Sequence, residues 1–140
     1  MKIYLAHPFG ARHHIRNLQS EWVFKYKHEF INPFYDSAVE QVMVKQTDDG
    51  KIDYFTLLGM LDAKKIVEED LKMIEVCDAI IAYIDGTISY GTIMEIVYAK
   101  MMGKKIVIVV TNGYENHPWI RYHADSVYLT SAEMAEGFLG

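Results

Sequence analysis

Two stretches constrain this chain more than anything else in it: "AIIAYI" at residues 79–84 and "IVIVV" within residues 105–111, both almost continuously apolar. A strand with one wet face alternates apolar and polar residues, whereas a strand apolar along its whole length is covered on both faces. Both runs therefore read as central strands with helices on either side. Further β-rich runs at Lys2 to Ala6, Phe30 to Asn32 and Val127 to Leu129 complete a set with Ala79 to Ile84 and Lys105 to Thr111. Helical patterns fall between and after them, at Arg12 to His28, Ala63 to Val76, Thr92 to Met102 and Ser131 to Leu139, with Gly103 suited to end the third. Alternation of this kind is the pattern of a parallel sheet. The expected fold is α/β: a flavodoxin-like, Rossmann-like three-layer sandwich of five parallel strands in the order 2-1-3-4-5, formed by residues 1–140 as one domain.

Residues 36–62, "DSAVEQVMVKQTDDGKIDYFTLLGMLD", interrupt this rhythm. The stretch is long for a crossover and carries a polar turn, "QTDDGK", so it is expected to be a lid or binding insertion. With 140 residues, 51% hydrophobic, the chain has material for one buried core. A formal net charge of -5 excludes a general binder of nucleic acid polymers, whose affinity rests on a basic surface. Small anionic ligands stay open, because one phosphate needs only a local cluster of donors. No stretch approaches a membrane span, and the opening "MKIYLAHPFG" reads as a strand rather than a signal sequence. The single Cys77 fits a small buried apolar residue and a reducing compartment, so a cytoplasmic protein is expected.

Two acids stand on the apolar side of their helices. At about 100° per residue, Ile66, Val67, Leu71, Met73, Ile74 and Cys77 share one arc. Glu68, Glu69, Lys72 and Glu75 take the opposite arc, but Asp70 projects between Val67 and Met73. In the segment "TIMEIVYAKMMG", Glu95 projects beside Ala99 and Met102, away from Lys100. A carboxylate placed this way loses hydration while gaining from the helix dipole, and such opposed effects are typical of functional acids. The competing account is a capping box, in which Glu95 reaches back to a helix start at Thr92. Both acids fall near strand carboxyl ends, where open α/β sheets bind ligands.

Other candidates surround that crevice. In "HPFGARHH", after the first strand, His7, Phe9, Gly10 and Arg12 could line it, although the stretch is neither a GxGxxG fingerprint nor a P-loop. In "NPFYD", after the second, Asn32, Phe34 and Asp36 reach the rim, where aromatic rings could stack on a base; packing after a turn explains that stretch equally well. The six histidines have no HExxH spacing and no cysteine partners, so no metal and no cofactor are expected. The serines lack a GxSxG elbow. A phosphoacceptor receiver domain would share the sheet, yet its acidic pair should follow the first strand, where this chain has Ala6, His7 and Pro8.

The segments "IYLAHPF", "EEDLKMIEVCDAIIAYID" and "SYGTIMEIVYAKMMGKKIVIV" together resemble the nucleoside 2-deoxyribosyltransferase family, which includes the 2'-deoxynucleoside 5'-phosphate N-hydrolases. The likeness rests on D-L-x(6)-D from Asp70 and S-x-G-x(3)-E from Ser89, and covers most of the chain outside residues 36–62. It implies cleavage of a base from a sugar by double displacement. Glu95 would attack C1', Asp70 would protonate or position the departing base, and Tyr4 would orient the glutamate. The transferases carry an acid or amide where this chain has Ser89, so the resemblance leans to the 5'-monophosphate hydrolases, with Gly91 allowing close approach and Arg12 offering charge. "HPWIR" replaces a serine-containing stretch that serves a neighbouring subunit, leaving His117 as the substitute. A homodimer or larger homo-oligomer follows from the same likeness. A deoxyribosyltransferase is the first alternative, and a non-catalytic nucleotide sensor the second.

Overall fold

The two apolar runs lie side by side in the middle of the sheet, paired in parallel from Ala79 opposite Lys105 to Ile84 opposite Val110. A computed structural model describes residues 1–87 and 89–140. Its strands are β1 (Lys2–Ala6), β2 (Glu29–Ile31), β3 (Ala79–Ile84), β4 (Lys105–Val110) and β5 (Ser126–Tyr128). They form one parallel sheet in the order β2-β1-β3-β4-β5, as the sequence leads one to expect.

Period-two alternation sorts the strand side chains into two layers. Ile3, Leu5, Ile81, Val107 and Val109 pack against Ile15 and Trp22 of α1 (Arg12–Lys25), and against Met134 of α8 (Ser131–Met134). Tyr4, Ala6, Ile80, Ala82, Ile106 and Ile108 face the other way, onto Ile74 of α5 (Ala63–Glu75) and Ile96 and Ala99 of α6 (Tyr90–Met101). At about 2 kcal/mol for each fully buried aliphatic side chain, these two layers make the sheet the stable frame on which everything else is mounted. Cys77 is one of the small buried residues of the second layer.

Element ends differ from expectation by a few residues. The first helix stops at Lys25 rather than His28, because Tyr26 is extended (φ -119°, ψ 150°) and leads into β2. The third begins at Tyr90: Ser89, not Thr92, is its cap, its Oγ accepting from Thr92 N at 3.4 Å. β2 and β5 each start one residue early, β4 ends at Val110, and α5 ends at Glu75. The final helix is α only to Met134 and continues as a wider π-type turn over Ala135–Leu139.

The interruption folds into short helices: α2 (Pro33–Asp36), α3 (Ala38–Asp48) and α4 (Tyr54–Met60). Ser37 caps α3, Asp53 caps α4 and Asp62 caps α5, each accepting from a backbone N–H three residues on. Met43, Val44 and Leu57 bury themselves against Phe9, just past the carboxyl end of β1. This second, smaller core holds the segment over the open end of the sheet. Helix α7 (Pro118–His123) precedes β5. Among the described residues no helix is long and apolar enough to cross a membrane.

Candidate active site

With all strands parallel, the carboxyl ends of β1 and β3 open to one side, and a cavity of about 500 Å³ lies there. Its walls come from the loop after β1, from α3 and α4, from α5, and from the first turns of α6. That volume is in the range of small-molecule clefts.

Glu95 stands in the second turn of α6 and turns inward, as its projection requires. The buried Tyr4 hydroxyl, rising from β1, donates a hydrogen bond to Glu95 Oε2. Thr92 N is already bonded to Ser89, so Glu95 does not close a capping box. Its other oxygen, Oε1, lies on the Gly91 side, 3.9 Å from where a side chain at Gly91 would begin. Burial pushes the Glu95 carboxyl up to about 8; the Tyr4 hydrogen bond opposes this and the nearby Asp70 charge adds to it. Burial, then the Glu95 and Asp70 charges, hold the Tyr4 phenol well above its ordinary value, so it remains a donor.

Asp70, from α5, lines the same cavity. The same cavity is lined by Glu40, which α3 brings in from the 36–62 segment, and Asp70 Oδ1 and Glu40 Oε2 are both buried without a hydrogen-bond partner among the described residues. Glu40 is 5% exposed. Burial raises both carboxyls; Glu40 is raised further by its interaction with Asp70 and by the Glu95 charge, whereas the interaction with Glu40 draws Asp70 back down. Two ionised carboxylates buried in one cavity would repel and supply no donor, which favours the protonated form of Glu40.

Around these acids, Phe9 stacks on Tyr54 (centroids 4.4 Å apart, planes 8° apart) and meets Phe34 edge-on at 5.5 Å. His7, Phe9, Gly10, Phe34, Ser89 and Gly91 all line the cavity. Ser89 Oγ lies 2.7 Å from Thr92 Oγ1 at the rim. The remaining candidates stand behind the wall. Asn32 is fully buried, donating from Nδ2 to Gln19 Oε1 (3.1 Å), and its Oδ1 sits 3.1 Å from His7 Nε2. Asp36 accepts from Asn32 N at 2.7 Å and is itself exposed. Arg12 is turned to Asp48 (Nη2 to Oδ1, 2.6 Å), donates to the Phe9 carbonyl and lies 3.9 Å above the Phe9 ring. His117 caps α7, its Nδ1 accepting from Trp119 N, and does not line the cavity.

Glu40 lines the cavity without being among the residues that the sequence singles out. The spacing Glu40, Met43, Val44 puts it on the buried face of α3, the same test that singled out Asp70 and Glu95. Nothing comparable signals Tyr54, which enters the cavity wall only because the small core folds around Phe9.

A model of the nucleoside 2-deoxyribosyltransferase family matches residues 3–130, spanning every one of these elements from β1 to β5. The chain belongs to this family. It is therefore an enzyme of a family in which base transfer and N-glycosidic hydrolysis both occur. No curated protein matches the chain. Among solved structures, it is similar to the 2-deoxyribosyltransferase of the psychrotolerant bacterium Bacillus psychrosaccharolyticus, at 18% identity over 91% of this chain and 85% of that one, with a TM-score of 0.63. The CMP N-glycosidase BcmB of Clostridium botulinum gives 0.60 at 19% identity, covering 98% and 96% of the two chains. The 2-deoxyribosyltransferase of Leishmania mexicana gives 0.58 at 18%, covering 99% and 96%. At such identities these likenesses establish the shared fold, and the family's two reactions both remain within it.

Proposed function

We propose that this protein hydrolyses the N-glycosidic bond of a nucleoside 5'-monophosphate, 2'-deoxy in preference to ribo, releasing the free base and the sugar 5-phosphate. The observation that carries this reading is Glu95 itself, with Oε2 held by a buried phenol, Oε1 free on the cavity side, and Asp70 on the wall of the same cavity. Glu95 Oε1 attacks C1' as the bond to the base breaks, and Asp70 delivers a proton to the base. Water then opens the glycosyl ester and regenerates Glu95. Tyr4 stabilises the carboxylate both before attack and as it leaves.

The 5' end is placed by this reading at the start of α6. Ser89 and Thr92 present neutral hydroxyls there, beside backbone amides at the positive end of a helix, where a carboxylate would repel a phosphate. We further propose that two copies associate through the outer face of α6, where Ile93, Val97 and Met101 are exposed next to Trp119 and Tyr122 of α7. His117, outside its own cavity, then serves the site of the second copy. Residues 36–62 act as the insertion that covers the base.

One observation favours base transfer on unphosphorylated nucleosides instead: among the described residues, no lysine or arginine lines the cavity, and Arg12 is occupied by Asp48. Offering a deoxynucleotide and the matching deoxynucleoside, each with and without an acceptor base, separates the two. Base and sugar phosphate released from the nucleotide without acceptor support hydrolysis. Turnover of the nucleoside alone, and only with acceptor, refutes it in favour of transfer.

A further inference from the structure

Glu40 takes no part in the reading above, yet it is a buried carboxyl aimed into the reacting cavity. Its Oε2 and Asp70 Oδ1 are both buried without a donor among the described residues. A buried acceptor left unpartnered costs on the order of 1–3 kcal/mol, more when charged. One proton held by the pair removes that cost, because the protonated carboxyl becomes the donor its neighbour lacks.

We propose that Glu40 is a positioning residue that keeps a proton on the Glu40–Asp70 pair, and that this proton is the one Asp70 gives to the departing base. The inference rests on the glycosidase reading of Glu95. As the C1'–N bond breaks, its electron pair passes to the base, the Glu95 carboxylate oxygen bonds to C1', and the pair's proton moves to the base, which leaves neutral. The pair is then doubly ionised with both carboxyls buried in the cavity wall, the least favourable state available to two adjacent carboxylates. Water bonding to C1' in the second step releases a proton as the C1'–O bond to Glu95 breaks, and the pair takes it up. Repulsion between the two carboxylates thus drives the reset as well as the retention of the proton.

The surroundings favour that arrangement. Glu95 from α6 acts on Glu40 alongside Asp70, Glu40 in turn helps to raise the Tyr4 phenol of β1, and Ser37 at the start of its own helix stabilises the ionised form of Glu40. Glu69 acts on Asp70, and His7 faces the cavity with its imidazole driven toward the neutral form by burial. Every charge that bears on Glu40 from a packed element is negative, and that holds the proton in place.

The test is the pH dependence of base release by the wild-type protein, Glu40→Gln and Glu40→Asp. Glu40→Gln is expected to lower kcat by about 10²-fold with KM changed far less, the usual contribution of a positioned acid. Its alkaline limb is expected at lower pH, since an amide donating to Asp70 favours the ionised acid, and Glu40→Asp is expected to restore the limb. A kcat within threefold of wild type, or an unmoved limb in a folded variant, overturns the proposal. Carboxyl-carbon NMR titration of the unsubstituted protein decides the matter without any variant: two glutamate signals, for Glu40 and Glu95, should stay protonated well past the ordinary range, and a single one overturns the proposal. Retention of turnover by Glu95→Ala sinks the glycosidase reading instead, leaving the titration to judge the pair.

Discussion

Replacing Glu95 by glutamine is expected to abolish turnover and stabilise the protein, by an amount that grows with pH. The carboxyl has an ordinary value of 4.5 and is pushed up to about 8 here. The folded state therefore prefers the protonated form, and the stability this contributes is complete below pH 4.5 and withdrawn as the pH rises to 8. At about 1.4 kcal/mol per pH unit across that interval, ionising Glu95 removes roughly 4–5 kcal/mol by the alkaline end. Glutamine keeps the shape and keeps an oxygen for the Tyr4 hydroxyl, but has nothing to ionise. Carboxyls that do not feel the Glu95 charge titrate alike in both proteins and cancel in the difference, while Glu40, which that charge raises, adds to the gap in the same direction. Thermal unfolding in parallel buffers from pH 5 to 9 should show the gap between Glu95→Gln and wild type widening by about 4 kcal/mol, on the order of 10 °C for a chain of this size. A gap that stays constant across that range would refute the claim that the Glu95 carboxyl is held dehydrated at a cost to the fold.

The remaining expectations concern rate. Wild-type kcat/KM should climb toward pH 8 as Glu95 ionises and fall again toward pH 10 as the Glu40–Asp70 pair gives up its proton, a bell measurable by base release. Tyr4→Phe removes a charge-assisted hydrogen bond worth about 1.5–3 kcal/mol, so kcat/KM should drop about 10- to 100-fold and the acid limb should move to higher pH; an unmoved limb argues that the phenol does not support the carboxylate. Gly91→Ala adds a methyl 3.9 Å from Glu95 Oε1, an ordinary contact that the fold tolerates. Melting should hold or rise while turnover falls at least tenfold, and unchanged turnover would show that C1' does not approach from that side.

Much of this architecture is legible before any coordinates. "AIIAYI" and "KIVIVV" can only be central strands, and their spacing to the helical patterns leaves little choice of topology. Asp70 and Glu95 were visible for a related reason: an acid on an apolar arc is an anomaly that periodicity exposes. Ser89 was read for its hydroxyl and also proved to be the cap of α6, because the helix starts two residues earlier than its apolar pattern does. Arg12, Asn32, Asp36 and His117 do not line the cavity. Each follows a strand or opens a helix as a site residue would, but which way such a side chain turns depends on partners remote in sequence, as Arg12 depends on Asp48. Glu40 is hidden in the sequence because the anomaly of a buried acid shows only once residues 36–62 are divided into helices with faces of their own.

The two halves of the chemistry are mounted on parts of unequal firmness. Tyr4 and Glu95 are fixed by the sheet and by α6, within the larger core. Glu40 rides on α3, whose anchorage is the small core of Phe9, Met43, Val44 and Leu57. Segments that bury little apolar surface open locally long before the whole molecule unfolds. An opening of residues 36–62 would wet the cavity and expose the Glu40 and Asp70 carboxyls to solvent, while Glu95 would stay held by α6 and Tyr4. Lineages of this fold could change the base they release by redrawing that segment alone, with the sugar chemistry left standing.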